Sequence, residues 1–423
     1  MNKKTYWFFL EPYVHISVKG QQVLLYNTLN GKILEYKNEP AITKTVKRVN
    51  SEKNLLTIKV TSAYINSNPE ISKFIKDVRK YFMGDLIDTA LSEGKPIQMK
   101  RILNIQKDVK RLKEDPSRSV GEDVMSYLKE ISLYINNACD NDCSICNNAY
   151  KQFLYCRKCN RKENELDFRQ LAAFLNDTKG SALSRVNVLG GDIFKYSKFE
   201  ELVSLLNHIP TIKAYFFHYL NLENRGDYLK QINSNLSYMS ILIDFPIKEK
   251  KFAQSMELLY KSGHNLQITF VIQNREELEE AQRLTSLSKI TNFIIQPFYN
   301  GRNLHFFKKN VFVNRSSIHE AKPTLKDIYL KKVLNPINFG KIVVSSNGSV
   351  HSNVNFPMLG KLGLNFLHEV VMREMYQGRS WRRLRSKIVP CKDCVFELLC
   401  PPLSNFEYVI GRNNLCNIKR YAF

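Results

Sequence analysis

The 423-residue chain has no uninterrupted apolar stretch of about 18 residues, which excludes a membrane-crossing helix. Its first apolar run, Tyr6–Leu10, stops at Glu11 and Pro12, well short of a signal-peptide core, so a cytoplasmic location is the expectation. Acidic residues are in short supply: 40 Asp and Glu stand against 63 Lys and Arg, a formal charge of +23. Such an excess attracts polyanions, but here it is scattered. Lys73, Lys76, Arg79 and Lys80 lie in one stretch, and Arg379, Arg382, Arg383, Arg385 and Lys387 in another, with no basic-and-aromatic stacking motif. A solvated basic surface accounts for this pattern, and a nucleic-acid partner is not expected. No cysteine occurs between Cys159 and Cys391; the nine cysteines fall in two clumps, 139–159 and 391–416. A disulfide framework would spread them, whereas clumping favours metal or cluster ligation in a reducing compartment.

The first clump begins with Cys139, Cys143 and Cys146, a C-x3-C-x2-C pattern directly after the apolar run Ile131–Ile135. Three thiolates at this spacing can wrap one loop around a face of a [4Fe-4S] cube, leaving the fourth iron without a protein ligand. The alternative pairs Cys143-x2-Cys146 with Cys156-x2-Cys159 around zinc, which leaves Cys139 idle. Under the cluster reading Cys156 and Cys159 are extra: a metal clip, a redox pair, or packing. The next strand candidate ends in Gly190, Gly191 and Asp192. The second clump, Cys391-x2-Cys394-x5-Cys400 followed by Cys416, supplies four thiols, enough to close a cluster or to hold zinc.

A chain of this length is too long for one ordinary core and divides into two or three domains. Strand patterns cover Tyr13–Val18, Val23–Tyr26 and Ile33–Tyr36, the last two joined by Asn30-Gly31, the signal of a two-residue turn with positive φ at both positions. A further short strand runs over Leu56–Val60. Asn68-Pro69 then opens a helix whose Ile71, Phe74, Ile75, Val78 and Phe82 recur at helical spacing. More helix is expected over Met99–Leu112, and Pro116–Ser119 reads as a linker. From residue 127 to 300 a βα unit repeats. Its strands begin near Ile131, Arg185, Lys213, Met239, Leu266 and Asn292, and after the first crossover the step is about 27 residues. Helices are expected over Leu166–Leu175 and Arg275–Leu287. Six parallel strands with right-handed crossovers make an open, partial (β/α)6 barrel, an α/β fold in which chemistry gathers at the C-terminal strand ends. Cys139 falls at such an end. Asp244 ends the fourth strand, where it caps the following helix or reaches a ribose hydroxyl.

The segment Cys139–Cys146 resembles the signature of the radical S-adenosylmethionine (SAM) enzymes, and Gly190-Gly191-Asp192 resembles their Gly-Gly-Glu motif. Two departures are visible: Ile145 stands where the family has an aromatic, and Asp192 is one methylene shorter than Glu. The resemblance implies that the open iron chelates SAM and cleaves it reductively, with Gly190, Gly191 and Asp192 contacting its methionyl group. The second clump resembles a SPASM domain, which implies an auxiliary [4Fe-4S] cluster on Cys391, Cys394, Cys400 and Cys416. The SPASM pattern continues here to Ser404 rather than cysteine, and its upstream cysteine is Asn353.

The whole order resembles a radical SAM/SPASM peptide maturase of the Bacteroidales Gly-Gly-leader type, a group that includes pseudo-radical SAM relatives. It implies three regions: a winged-helix-like α+β leader-peptide-recognition domain at 1–115, the partial barrel at 127–335 and a SPASM-like domain at 336–423. The implied activity is hydrogen abstraction by a 5′-deoxyadenosyl radical from a ribosomally made precursor peptide, captured as an added strand at a sheet edge. The implied partners are that peptide, an electron donor and a second maturase. The rival expectation is a non-catalytic pseudo-radical SAM partner that binds the peptide for a separate enzyme; a third is an RNA-modifying radical SAM enzyme.

Overall fold

A computed structural model describes residues 4–92, 94–99, 124–158, 164–223, 225–287 and 290–418. The N-terminal strands are β1 (Thr5–Leu10), β2 (Val14–Lys19), β3 (Gln22–Asn27), β4 (Ile33–Lys37), β5 (Thr57–Thr61) and β6 (Gly84–Asp88). They form two antiparallel three-stranded sheets, β5-β1-β6 and β2-β3-β4. Helices Pro40–Val49 and Pro69–Lys80 close one core with them, built on Phe8, Val23, Leu25, Ile42, Val46, Phe74 and Val78. Both helices start on proline, whose missing N–H is no loss in a first turn.

Two local expectations fail here. The β3–β4 connection is a five-residue loop, Thr28–Lys32, in which the Gly31 N–H donates to Asn27 O at 2.9 Å. Gly31 takes φ +74° but Asn30 stays at negative φ, because the Asn27 side chain accepts the Leu29 N–H at 2.9 Å and sets the turn itself. Phe82, placed on the buried helix face by periodicity, lies beyond the helix end at φ +55° and is 73% exposed. Of the helix expected over Met99–Leu112, Met99 has no regular structure and the rest lies outside the described residues, as does the linker at 116–119.

The large sheet has nine strands: β7 (Glu130–Tyr134), β8 (Arg185–Leu189), β9 (Ile212–His218), β10 (Ser237–Ile243), β11 (Asn265–Ile272), β12 (Phe293–Pro297), β13 (Lys341–Val344), β14 (Ser349–His351) and β15 (Gly360–Lys361). Their order is β12-β11-β10-β9-β8-β7-β13-β14-β15. Strands β7 to β12 are the six expected parallel strands, in sequence order across the sheet. Beyond them the sheet continues into the segment expected to form a separate unit from residue 336: β13 pairs parallel with β7, then β14 and β15 add antiparallel. The chain is thus a mixed α/β protein on a mostly parallel sheet.

Alternation along the strands gives the sheet two different faces. Ile131, Leu133, Val186, Val188, Tyr215, Ile241 and Phe270 pack under helices that include Phe168–Asn176, Phe199–Asn207, Glu249–Ser262 and Arg275–Leu287. Tyr134, Leu189, Ala214, Phe216, Leu242 and Val271 face the other way, against Ile145, Cys146, Tyr155 and Cys156 of the long β7–β8 connection. The cysteine-bearing loop therefore covers one sheet face. At the far end of the chain, Val395, Phe396, Leu399 and Cys400 share a core with Leu24 and Tyr26 of β3, so the second cysteine clump is packed on the N-terminal sheet. No described helix is long and apolar enough to cross a membrane.

Candidate functional site

The C-terminal ends of β7, β8, β9 and β10 converge on the first cysteine clump. After β7 the chain does not turn away at once: residues 135–138 run alongside 189–192, with Ile135 N–H donating to Leu189 O at 2.8 Å and Asp192 N–H to Ala138 O at 2.6 Å. Asn136 fastens this pairing by accepting the Gly191 N–H at 3.0 Å and donating to Asp192 O at 2.8 Å. The glycines are required by this closeness. A Cβ at Gly190 would lie 2.5 Å from Asn136 Oδ1, and one at Gly191 would lie 2.3 Å from Ala138 O. The Gly-Gly signal thus has a direct consequence: it brings Cys139 to the mouth of β8.

The Cys143 thiol hydrogen-bonds Cys146, which pushes Cys143 up, with burial adding to it, and lowers Cys146 as the acceptor. Backbone N–H groups of Asn141 and Lys158 point at the sulfurs of Cys139 and Cys146. Burial pushes the Cys139 thiol up. The structure thus gathers the three thiols at the strand ends, with Cys139 beside Asp192 and Cys146, and Cys143 beside Cys146 and Asp244. Cys156 joins them in a way spacing did not disclose, buried on the same face; Cys159 lies outside the described residues.

Asp192 is already engaged. One carboxylate oxygen accepts the Phe194 N–H at 3.1 Å and the other lies 3.7 Å from Arg225. Burial holds its carboxyl above the ordinary value, opposed by the Phe194 hydrogen bond and by Arg225. At the next two strand ends His218 Nε2 and Asp244 Oδ1 are 2.8 Å apart, and together with Cys143 they form a trio of potential metal-binding atoms within 4.8 Å of one another. Asp244 is therefore paired across strands and does not cap the following helix, whose N-cap is Lys248. His218 was not singled out from sequence; its signal was its place as the last residue of the third barrel strand.

The second clump is also assembled. Cys391, Cys394, Cys400 and Cys416 line one cavity of about 20 Å³, together with Val313 and Arg385. Arg385 Nη1 lies 3.5 Å from Cys391 Sγ and its Nη2 2.9 Å from Glu407, a buried pair in which the two side chains are 8% and 2% exposed. The expectation of a solvated basic surface fails at this arginine. Burial pushes the Cys400 thiol up to about 12, with Arg385 acting against it. The two positions where the SPASM pattern has cysteine carry hydrogen-bonded polar residues instead. Asn353 donates to Asn405 at 2.6 Å and Asn338 at 3.2 Å, while Ser404 caps the helix Asn405–Ile410 in a reciprocal box with Glu407.

No family model matches the chain, and no curated protein matches it in sequence. Among solved structures, Streptococcus suis SuiB bound to precursor peptide SuiA is similar over 97% of this chain and 98% of its own, at 15% identity and a TM-score of 0.48. SuiB bound to S-adenosylmethionine covers 98% and 99% at 13% identity and 0.46. Native anSMEcpe with bound AdoMet covers 68% of this chain and 95% of its own, at 13% identity and 0.43.

Proposed function

We propose that this chain is a radical SAM peptide-modifying enzyme acting on a ribosomally made precursor peptide, with a [4Fe-4S] cluster held by Cys139, Cys143 and Cys146. The observation that carries the reading is the gathering of those three thiols at adjoining strand ends, Cys139 beside Gly190–Asp192 and Cys143, bonded to Cys146, beside His218 and Asp244. The donor set fits the group: it is all sulfur, and two of its members face backbone N–H groups, which stabilise thiolate charge. SAM bound there supplies a 5′-deoxyadenosyl radical for hydrogen abstraction, given an external one-electron donor. The protein's part is to orient and to exclude water: Asn136 and the two glycines fix the cysteine loop, and Tyr134, Leu189, Ala214 and Phe216 form a dry floor beneath it.

In this reading Cys391, Cys394, Cys400 and Cys416 hold one auxiliary cluster of SPASM kind, and residues 1–115 capture the peptide. Strand addition suits the N-terminal sheets, because each has outer strands, β2 and β4 or β5 and β6, with no further described strand beyond them. A second reading, a non-catalytic pseudo-radical SAM partner of a separate maturase, is favoured by one observation. The Asp192 carboxylate is occupied by Phe194 N–H and Arg225, where an active site would leave it for the methionyl ammonium.

Anaerobic reconstitution with iron and sulfide, followed by SAM and a strong reductant, separates the two. The enzyme yields 5′-deoxyadenosine, and Cys139→Ala, Cys143→Ala or Cys146→Ala abolishes it while peptide binding persists. Reconstituted protein that binds peptide and forms no 5′-deoxyadenosine is the partner. Zinc in place of iron after loading removes both cluster assignments.

A further inference from the structure

The β7–β8 connection places a fourth sulfur at the three-cysteine site. Cys156 is 3% exposed and belongs to the same packed group as Cys146, with Cys143 against it, on the sheet face that the cysteine loop covers. Three ties hold its segment there. Arg157 N–H donates to Gly190 O at 2.8 Å, joining it to the end of β8. Lys158 Nζ reaches Asn141 O at 3.0 Å and Asp142 Oδ1 at 3.1 Å, joining it to the C-x3-C-x2-C loop. The backbone N–H of His218 points at the Cys156 sulfur, joining it to the end of β9. The Arg157 guanidinium also stacks over the Tyr150 ring at 4.4 Å.

A buried thiol ordinarily packs as a small hydrophobe. This one is set among three other thiols, in a segment that takes the Gly190 carbonyl edge. That edge is where the methionyl end of SAM would have to lie if Gly190–Asp192 recognise it. The chain thus offers a fourth sulfur beside the three that share the C-x3-C-x2-C loop. A packing role alone would not need a segment fastened to two strand ends and to the ligand loop.

We infer that Cys156 is the fourth ligand of the cluster, capping the iron that Cys139, Cys143 and Cys146 leave open, so that SAM gains the iron only by displacing it. This rests on the reading that those three thiols hold a [4Fe-4S] cluster. Capping forms one Fe–S bond, expels the solvent ligand from that iron and releases the thiol proton to water. When SAM displaces the cap, that Fe–S bond breaks, bonds from the SAM amine and carboxylate to the iron form in its place, and the proton that the SAM ammonium gives up goes to the released thiolate. No electron moves in either direction.

The test uses the full chain, reconstituted anaerobically, as wild type, Cys156→Ala, Cys156→Ser and the triple variant Cys139→Ala/Cys143→Ala/Cys146→Ala, with spectra compared as differences from wild type so that the C-terminal centre cancels. A three-thiolate cube sheds its uncapped iron under mild ferricyanide and shows the electron paramagnetic resonance (EPR) signal of a three-iron cluster; a capped cube resists. The expected result is retention of iron in wild type, a three-iron signal in Cys156→Ala, and an altered reduced spectrum without SAM in Cys156→Ser. SAM half-saturation, read from the EPR change, is expected to tighten by about tenfold or more in Cys156→Ala, because the competing internal ligand is gone. Wild type and both Cys156 variants with the same iron retention and the same SAM-free spectrum overturn the proposal and leave Cys156 a packing residue. Undiminished iron in the variant that lacks Cys139, Cys143 and Cys146 overturns the three-thiol reading beneath it. Altered SAM-free spectra with no SAM response in any variant uphold the cap and remove the SAM chemistry.

Discussion

Replacing Gly191 with alanine tests whether the Gly-Gly pair serves to seat the cysteine loop. The added Cβ would stand 2.3 Å from Ala138 O, 2.7 Å from Ala138 C and 2.9 Å from Asn137 C, all backbone atoms with no flexible end to yield. Reaching ordinary contact at 3.4 Å requires that backbone to retreat by about 1 Å, a form of overpacking that costs about 1–3 kcal/mol. The retreat breaks the 2.6 Å bond from Asp192 N–H to Ala138 O. It also reaches the next residue, Cys139, whose Cα is only about 3.8 Å away along the chain. Metal–ligand distances tolerate about 0.2 Å, so the displacement exceeds the tolerance about fivefold. The expected outcome is selective: iron at the 139–146 site is lost, iron at the 391–416 site stays, and total iron falls to the level of the variant that lacks Cys139, Cys143 and Cys146. Iron and sulfide analysis with visible absorption after anaerobic loading measures this, with circular dichroism to verify folding. Gly94→Ala, at a position with nothing within 4 Å, is the control. Gly191→Ala protein that loads iron like wild type refutes the seating role.

Arg385→Ala leaves Glu407, 2% exposed, without its cation, at a cost of about 3–5 kcal/mol in urea unfolding; the double change with Glu407→Leu is expected to recover part of that loss, and strict additivity contradicts it. Burial, aided by the Lys332 charge, holds the His15 imidazole at about 3, down from 6.5. The unfolded chain takes up that proton first, so this stability is fully present above pH 6.5 and is lost on acidification from there toward 3, by at most about 1.4 kcal/mol per pH unit. Urea midpoints at pH 7 and 5 are expected to differ less in His15→Gln than in wild type, and equal differences refute the assignment. Leu24→Ala opens the core shared by β3 and the C-terminal cysteines and is expected to cost about 2–5 kcal/mol, with faster iron release from the 391–416 site as the second readout. Unchanged release shows that the shared core does not support that site.

The six parallel strands were legible because each is a short apolar run at a regular step, and all six expected starts fall within two residues of β7 to β12. Length decided against β13: four residues, Lys341–Val344, carry too little periodicity to announce a strand, and only pairing with β7 defines it. Phe82 fitted a helical stripe until the helix ended at Lys80, two residues short of it. The site was legible to the extent that its residues are neighbours in sequence. Cys139, Cys143 and Cys146 share one loop and could be read together. His218 and Asp244 lie 26 residues apart at the ends of separate strands, and only the parallel register of β9 and β10 brings them face to face. Cys156 sits in a long crossover whose path is set by hydrogen bonds to Gly190 and His218, which spacing does not encode.

The departures from the SPASM and radical SAM patterns act in one direction. Where the pattern has cysteine, Asn353 and Ser404 make buried or capping hydrogen bonds, so those positions strengthen the protein without a metal. Where the pattern has three thiols alone, the chain packs Cys156 beside Cys146 and Cys143, and where it asks for an acid free to receive an ammonium, Asp192 is held by Phe194 and Arg225. Each of these positions makes a contact inside the chain. On the proposed reading, iron content and SAM response are therefore separate quantities: the first would measure how many centres the fold keeps, and the second how firmly Cys156 competes at the 139–146 site. Full iron with a weak SAM response in wild type, and a strong response once Cys156 is removed, distinguishes a chain that closes its own site from one that never built it.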